Sequence, residues 1–164
     1  MIFMIIYCTT DLHIEVPFEE LKGASLENLN LHRAELEGAD LTGSNLLNSN
    51  LRGAFLYKAK MNGCVLESTN LIVADFRETN LIGANLKKSL AISTLFKKSN
   101  LQNANLEGAN IEGTDFTCAN LKGANMNCIG IENAIFDNAI FNDETIWPKE
   151  FDAIKKGAIK DSMK

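Results

Sequence analysis

The sequence predicts an all-β solenoid, a chain coiled into a stack of like turns, and three observations carry that expectation. First, every fifth residue from Leu21 to Ile146 is apolar, 26 positions without exception in a chain that is 46% apolar. A period of five fits neither the 3.6 of a helix nor the 2 of a flat strand, so the chain must turn once per unit. Second, the residue two before each large one is Ala, Ser, Thr or Cys in 22 of the 25 units from Leu26 onward, with Leu29, Ile129 and Glu144 as exceptions. Each unit therefore turns one large and one small side chain inward. Third, Phe76, Phe96, Phe116 and Phe136 recur every 20 residues, as do Gly23, Gly43, Gly63, Gly83 and Gly123. Four units then close one coil, and like residues stack on like, about 4.8 Å apart as in parallel strands.

The segments follow in order. Residues 1–20 are expected to form an N-terminal cap, because an open coil end exposes apolar interior and unpaired strand edges. "IFMIIY" and the alternating "LHIEV" suit strands, or a hairpin joined through Thr9 to Asp11. Residues 21–146 are the repeat region, about six coils. Residues 147–164 are expected to cap the other end as a short helix or coil. A helix would begin at Pro148 and turn Phe151, Ile154 and Ala158 inward, with Trp147 over the last coil.

Within each unit, Asn or Asp precedes the large residue in 14 of the same 25 cases, and Gly, Asn or Ser is frequent two after it, as a tight turn requires. The five-residue register reads as unbroken, so no long loop is inserted. The stretch "SLAISTLF" is the least regular. Ala91 is the one small residue in the large column, and Leu90 and Leu95 stand where Asn or Asp is expected. Either a local bulge or a deliberately apolar surface is expected there.

Units such as "ANLEG", "ADLTG" and "ANLKG" resemble the A(D/N)LXX motif of the pentapeptide-repeat family. The resemblance covers residues 21–146 and implies a right-handed, four-sided β-helix. The ending "TIWPKEFDAIKKGAI" is similar to the tails of many cyanobacterial members. Some members of the family mimic DNA and bind type II topoisomerases, giving protection against quinolones or peptide toxins. Others are regulatory partners in cyanobacterial processes.

The chemistry is sparse. Two histidines and four cysteines, with no CxxC pair and no His at ligand spacing, signal neither a zinc site nor a redox motif. His13 falls in the expected cap and His32 on an outward position. No nucleophile, base or metal set converges, so the expectation is a non-enzyme without cofactor, metal or small-molecule substrate. A net charge of −5 argues against a nucleic-acid binder. The opening apolar run lacks a basic n-region and is too short to span a bilayer, so no membrane role and a cytoplasmic location are expected.

What the repeat does not require lies outside. Tyr57, Lys58, Arg77, Lys97 and Lys98 should fall together on the side carrying the Phe column. Ile72, Val73 and Ile92 take outward positions, with Phe55, Leu90 and Leu95 beside them. These eleven residues form the candidate protein-interaction surface, for an unknown partner or a homodimer. The competing reading is that an irregular Ala91 coil turns some of the apolar ones inward. The leading functional reading is a rigid interaction or scaffold module, ahead of a topoisomerase-binding DNA mimic and a cyanobacterial regulator. A mimic of six coils would replace DNA bearing on the order of 17 negative charges. Here the one Glu column, Glu27, Glu67 and Glu107, is interrupted by Leu47 and Lys87.

Overall fold

The computed structural model describes residues 4–9, 13–17 and 19–162. Through its body, residues bridge in parallel to those 20 further on, from Ser25 with Asn45 to Asn105 with Asn125. Four five-residue units thus complete one coil. No α-helix occurs among the described residues.

Hydrogen bonding explains why the motif has the residues it has. The small inward side chain lets the backbone pass close to its neighbours, and where it carries a hydroxyl it donates across coils. Ser44, Ser49, Thr69, Thr79, Thr94 and Thr114 each donate to the carbonyl of the residue 23 positions earlier, which is Leu in every case but that of Thr114, whose partner is Ala91. Cys64 takes the same role, its thiol donating to the Leu41 carbonyl at 2.8 Å. A buried hydroxyl is therefore matched to a buried carbonyl, as a dry interior demands. Ser89 is an exception: its Oγ is buried without a partner.

Outside, the Asn or Asp before the large residue accepts from the backbone N–H two residues on, as Asn70 does from Ile72, Asn100 from Gln102 and Asp115 from Thr117. This side-chain turn fixes the corner. The second corner residue is left-handed in unit after unit, with φ of 67°, 71°, 64° and 65° at Gly23, Gly43, Gly63 and Gly83. Glycine adopts that conformation without steric strain.

The large side chains stack in columns. Phe76, Phe96, Phe116 and Phe136 lie with ring centroids 5.0, 5.3 and 5.3 Å apart, all fully buried. Aromatic pairs at this spacing contribute beyond the area they bury.

At the N-terminal side, β1 (Met4–Tyr7) and β2 (His13–Val16) form an antiparallel pair. The expected connection through Thr9 to Asp11 lies partly outside the described residues. The Glu35 N–H donates to the Tyr7 carbonyl at 2.8 Å, and Cys8 bridges Ala34 antiparallel, so the hairpin covers the edge of one side of the first coil. Ile6 and Val16 are buried beneath it.

The C-terminal side corrects several expectations. The register is not unbroken: Asn110 bridges Ile129, one residue early, and Asn125 bridges Ile146, one residue late. A short 3-10 turn at Ile131–Asn133 absorbs the first shift. As a consequence Ile146, expected inward, is outward and 54% exposed, and Trp147 reaches the core instead. Trp147 packs edge-on against Phe136 and Phe141, each at 5.5 Å, and Phe151 meets Phe136 at 5.6 Å. Beyond Pro148 the chain forms turns rather than a helix. Ala158 is buried as expected, but Ile154 is exposed, and Ala153 takes its place inside. The chain then adds β4 (Ile159–Lys160) in parallel to β3 (Ile140–Phe141).

No bulge marks the Ala91 coil. Asn70, Leu90 and Asn110 bridge in regular succession, as do Asp75, Leu95 and Asp115. Leu90 and Leu95 are outward because the register holds there.

Candidate interaction surface

One side of the solenoid is built from the bridged series Glu35, Phe55, Asp75, Leu95, Asp115 and Ile135. Acid and apolar residue alternate along it. Elsewhere the same step of the repeat carries mostly Asn. This side is flanked by two corners, and the eleven candidate residues divide among these three strips and one neighbouring position.

The first corner is apolar. Ile72 and Ile92 are half-buried in succession along it, and the Val73 N–H donates to the Ile92 carbonyl at 3.1 Å. Val73 is 51% exposed, Leu95 38% and Leu90, on the next side, 45%. Phe55 is half-buried. Val73 has φ of 52°, and it is the one β-branched residue among the described non-glycine residues in the left-handed region. That conformation crowds a branched Cβ against the following carbonyl.

The second corner is basic, and its residues do converge. Lys58 Nζ lies 4.9 Å and the Arg77 guanidinium carbon 5.7 Å from the Tyr57 ring centroid. Tyr57, Arg77, Lys97 and Lys98 line one shallow groove together with Glu78. Sequence reasoning passed over the acids that hold this cluster. Arg77 Nε donates to Asp75 Oδ1 at 2.8 Å and Arg77 Nη2 to Asp75 Oδ2 at 2.6 Å, a two-pronged pair. Lys58 lies 3.7 Å from Glu78. Partial burial pushes the Asp75 carboxyl up, but the Arg77 bonds outweigh that and hold it below its ordinary value. Asp75 stands two residues before Arg77, and Glu78 stacks on Lys58 one coil away, at the 20-residue spacing.

Sequence reasoning also passed over a second groove, at the N-terminal end of the apolar corner, lined by His32, Arg33, Arg52, Gly53, Phe55 and Val73. Arg33 donates to the Thr9 hydroxyl, whereas Arg52, Lys97 and Lys98 have no ion pair with any described residue. Cations without an ion pair among the described residues therefore stand on both sides of the exposed Val73 and Leu95.

Among the described residues no group of three His, Cys, Asp or Glu side chains is arranged to hold a metal ion, and no helix is long and apolar enough to cross a membrane. The four cysteines are free. Burial pushes the Cys64 thiol up to about 11 and the Cys128 thiol to about 12, which keeps both protonated and unreactive.

The outward Asn or Asp, the small inward residue and the five-residue step match the family model "Pentapeptide repeats" in eight copies, over residues 20–56, 56–87 and 94–127. The chain belongs to the pentapeptide-repeat family. One solved structure supports the fold, and others are similar in sequence pattern. QnrB1, described as a plasmid-mediated fluoroquinolone resistance protein, is similar with a TM-score of 0.63 and 16% identity, over 87% of this chain and 86% of that one. A pentapeptide repeat protein, Rfr23, from the cyanobacterium Cyanothece 51142 is 24% identical over 76% of this chain and 88% of its own, with a TM-score of 0.47. One from the thylakoid lumen of Arabidopsis thaliana is 23% identical over 65% and 72%, with a TM-score of 0.43. A search of the curated proteins finds no match.

Proposed function

We propose that this chain is a non-catalytic, rigid protein-interaction module that binds its partner through the side carrying Phe55, Asp75 and Leu95. The observation that carries the reading is the exposure of Val73, Leu90 and Leu95 in coils whose register is regular, where the repeat itself calls for polar residues. In this reading residues 1–20 and 147–164 serve as caps for the solenoid of residues 21–146. The hairpin over Glu35 and the Trp147 and Phe151 rings against Phe136 support those roles.

The DNA-mimic reading is weaker, because the Glu column is broken by Leu47 and Lys87 and several surface acids are matched by cations. Lys87 lies 3.0 Å from Glu107 and Lys58 lies 3.7 Å from Glu78, and Lys122 is paired with Asp161. A supercoiling assay with purified gyrase separates the two: inhibition or protection at micromolar protein would favour mimicry.

The direct test of the module reading is a photo-crosslinking residue placed at Leu95 and, separately, at Asn105, two sides away around the coil. A discrete protein adduct in cell extract from the first position and none from the second is expected. Equal adducts from both, or none from either, would overturn the assignment of the surface.

A further inference from the structure

We propose that the partner presents an acidic segment carrying aliphatic or aromatic side chains, laid over Val73 and Leu95 with its carboxylates against Lys97 and Lys98 on one flank and Arg52 on the other. This rests on the module reading above and names what such a module would bind.

Three independent features converge on that spot. The first is charge. The chain as a whole carries −5, yet the flanks of this apolar strip hold cations free of ion pairs with any described residue, while neighbouring Arg77 and Lys58 are already occupied by Asp75 and Glu78. An approaching carboxylate meets Lys97, Lys98 and Arg52 without first displacing a carboxylate of any described residue. The second is backbone strain. At the corner position of Val73, the coils on either side of it have Gly53 and Ser93. A branched residue held left-handed and half exposed is unfavourable for the isolated fold, and such outliers gather at binding sites. The third is the loss of turn bonds. Leu90 and Leu95 have no side-chain oxygen to accept the N–H of Ile92 and Lys97, the bond that Asn70 and Asp75 provide one coil earlier. Phe55 and Leu95 stand two coils apart, about 10 Å, a spacing matched by two apolar residues three apart in a polyproline II segment, which lie on one face.

The same charges argue against other occupants. Nucleic acid would need an uninterrupted track of cations, and Glu35, Asp75, Glu78 and Asp115 stand among these. A second copy docked with its two-fold axis across this strip would set Lys97 and Lys98 of one chain against their equivalents in the other, a like-charge contact.

A random dodecapeptide library displayed on phage, selected on the intact chain, tests the inference. Enriched peptides should combine Asp and Glu with Leu, Ile, Phe or Trp. As labelled peptides in fluorescence anisotropy they should bind at least about tenfold more weakly to the Lys97→Glu/Lys98→Glu variant and to Leu95→Ser. Their affinity should also fall with added salt. Circular dichroism melts of both variants should match the parent. Enriched peptides that are neutral or basic, acidic ones indifferent to both variants, or tighter binding of labelled duplex DNA would overturn the inference while leaving a binding module in place. A library in which nothing enriches would count against the module itself.

Discussion

Asn100 and Leu95 sit one unit apart in the same coil, at the same step of the repeat, and they act in opposite ways. The Asn100 side chain accepts the Gln102 N–H at 3.2 Å and closes its corner. Leu95 has no oxygen to offer Lys97 and leaves an apolar surface 38% exposed. The comparison extends to whole regions. From Asn100 to Asn125 each such position is Asn or Asp, and all six accept a turn bond, from the N–H groups of Gln102, Glu107, Glu112, Thr117, Lys122 and Asn127. From Phe55 to Leu95 the series includes Phe, Lys, Val and two Leu. The regular region is arranged for the stability of the solenoid. In the proposed reading the irregular one holds residues that the solenoid would be more stable without, the physical mark of a surface kept for another purpose.

That contrast breaks first if the outward residues prove structural. Phe116→Ala, in the middle of the buried stack, should lower unfolding free energy by about 3–5 kcal/mol, whereas Leu95→Ala should stay within about 0.5 kcal/mol. Urea denaturation of both measures it, and similar losses would end the distinction. Next in size, Thr94→Val removes the donor to the buried Leu71 carbonyl and should cost about 1–2 kcal/mol. Ser89→Ala removes a buried hydroxyl that has no partner and should raise stability by about 1 kcal/mol.

A pH experiment sharpens the account of the interior. The Cys64 and Cys128 thiols stand near 11 and 12 in the folded chain against 9.0 for an unburied thiol. A raised folded value means that the folded state keeps protons the unfolded chain would release. Their contribution is therefore complete below about pH 9 and is lost as pH rises through the folded values. Denaturation midpoints should fall between about pH 9 and pH 11, and less steeply in Cys64→Ser. A thiol reagent at neutral pH should label the exposed Cys118 quickly and Cys64 only on unfolding.

Much of this was legible in the sequence because the signal was periodic. The Phe column and the Gly column each gave the 20-residue coil, and the stacked rings and bridges lie on those spacings. The grouping of Tyr57, Arg77 and Lys97 followed from the same arithmetic. What escaped was aperiodic. The shifts at Ile129 and Ile146 leave the apolar character of the column intact, so a count of apolar residues passes over them. Of the two forms expected for the C-terminal cap, the helix rested on the spacing of Phe151, Ile154 and Ala158, but Gly157 and the pairing of β4 with β3 favour an extended end. The pairing of Arg77 with Asp75 was missed because a list of cations by column ignores the acid two residues away. The strain at Val73 is invisible in composition, though its place in the corner column beside Gly53 was there to be read.

The central claim, that the surface around Val73 and Leu95 is kept at the expense of stability, is tested most directly by the double variant Val73→Gly/Leu95→Asn. It restores both the left-handed glycine and the turn-closing side chain. Measured by urea denaturation and by anisotropy with a selected acidic peptide, it should be about 1–2 kcal/mol more stable than the parent and bind at least about tenfold more weakly. A variant that is less stable, or one that binds as the parent does, would contradict the account.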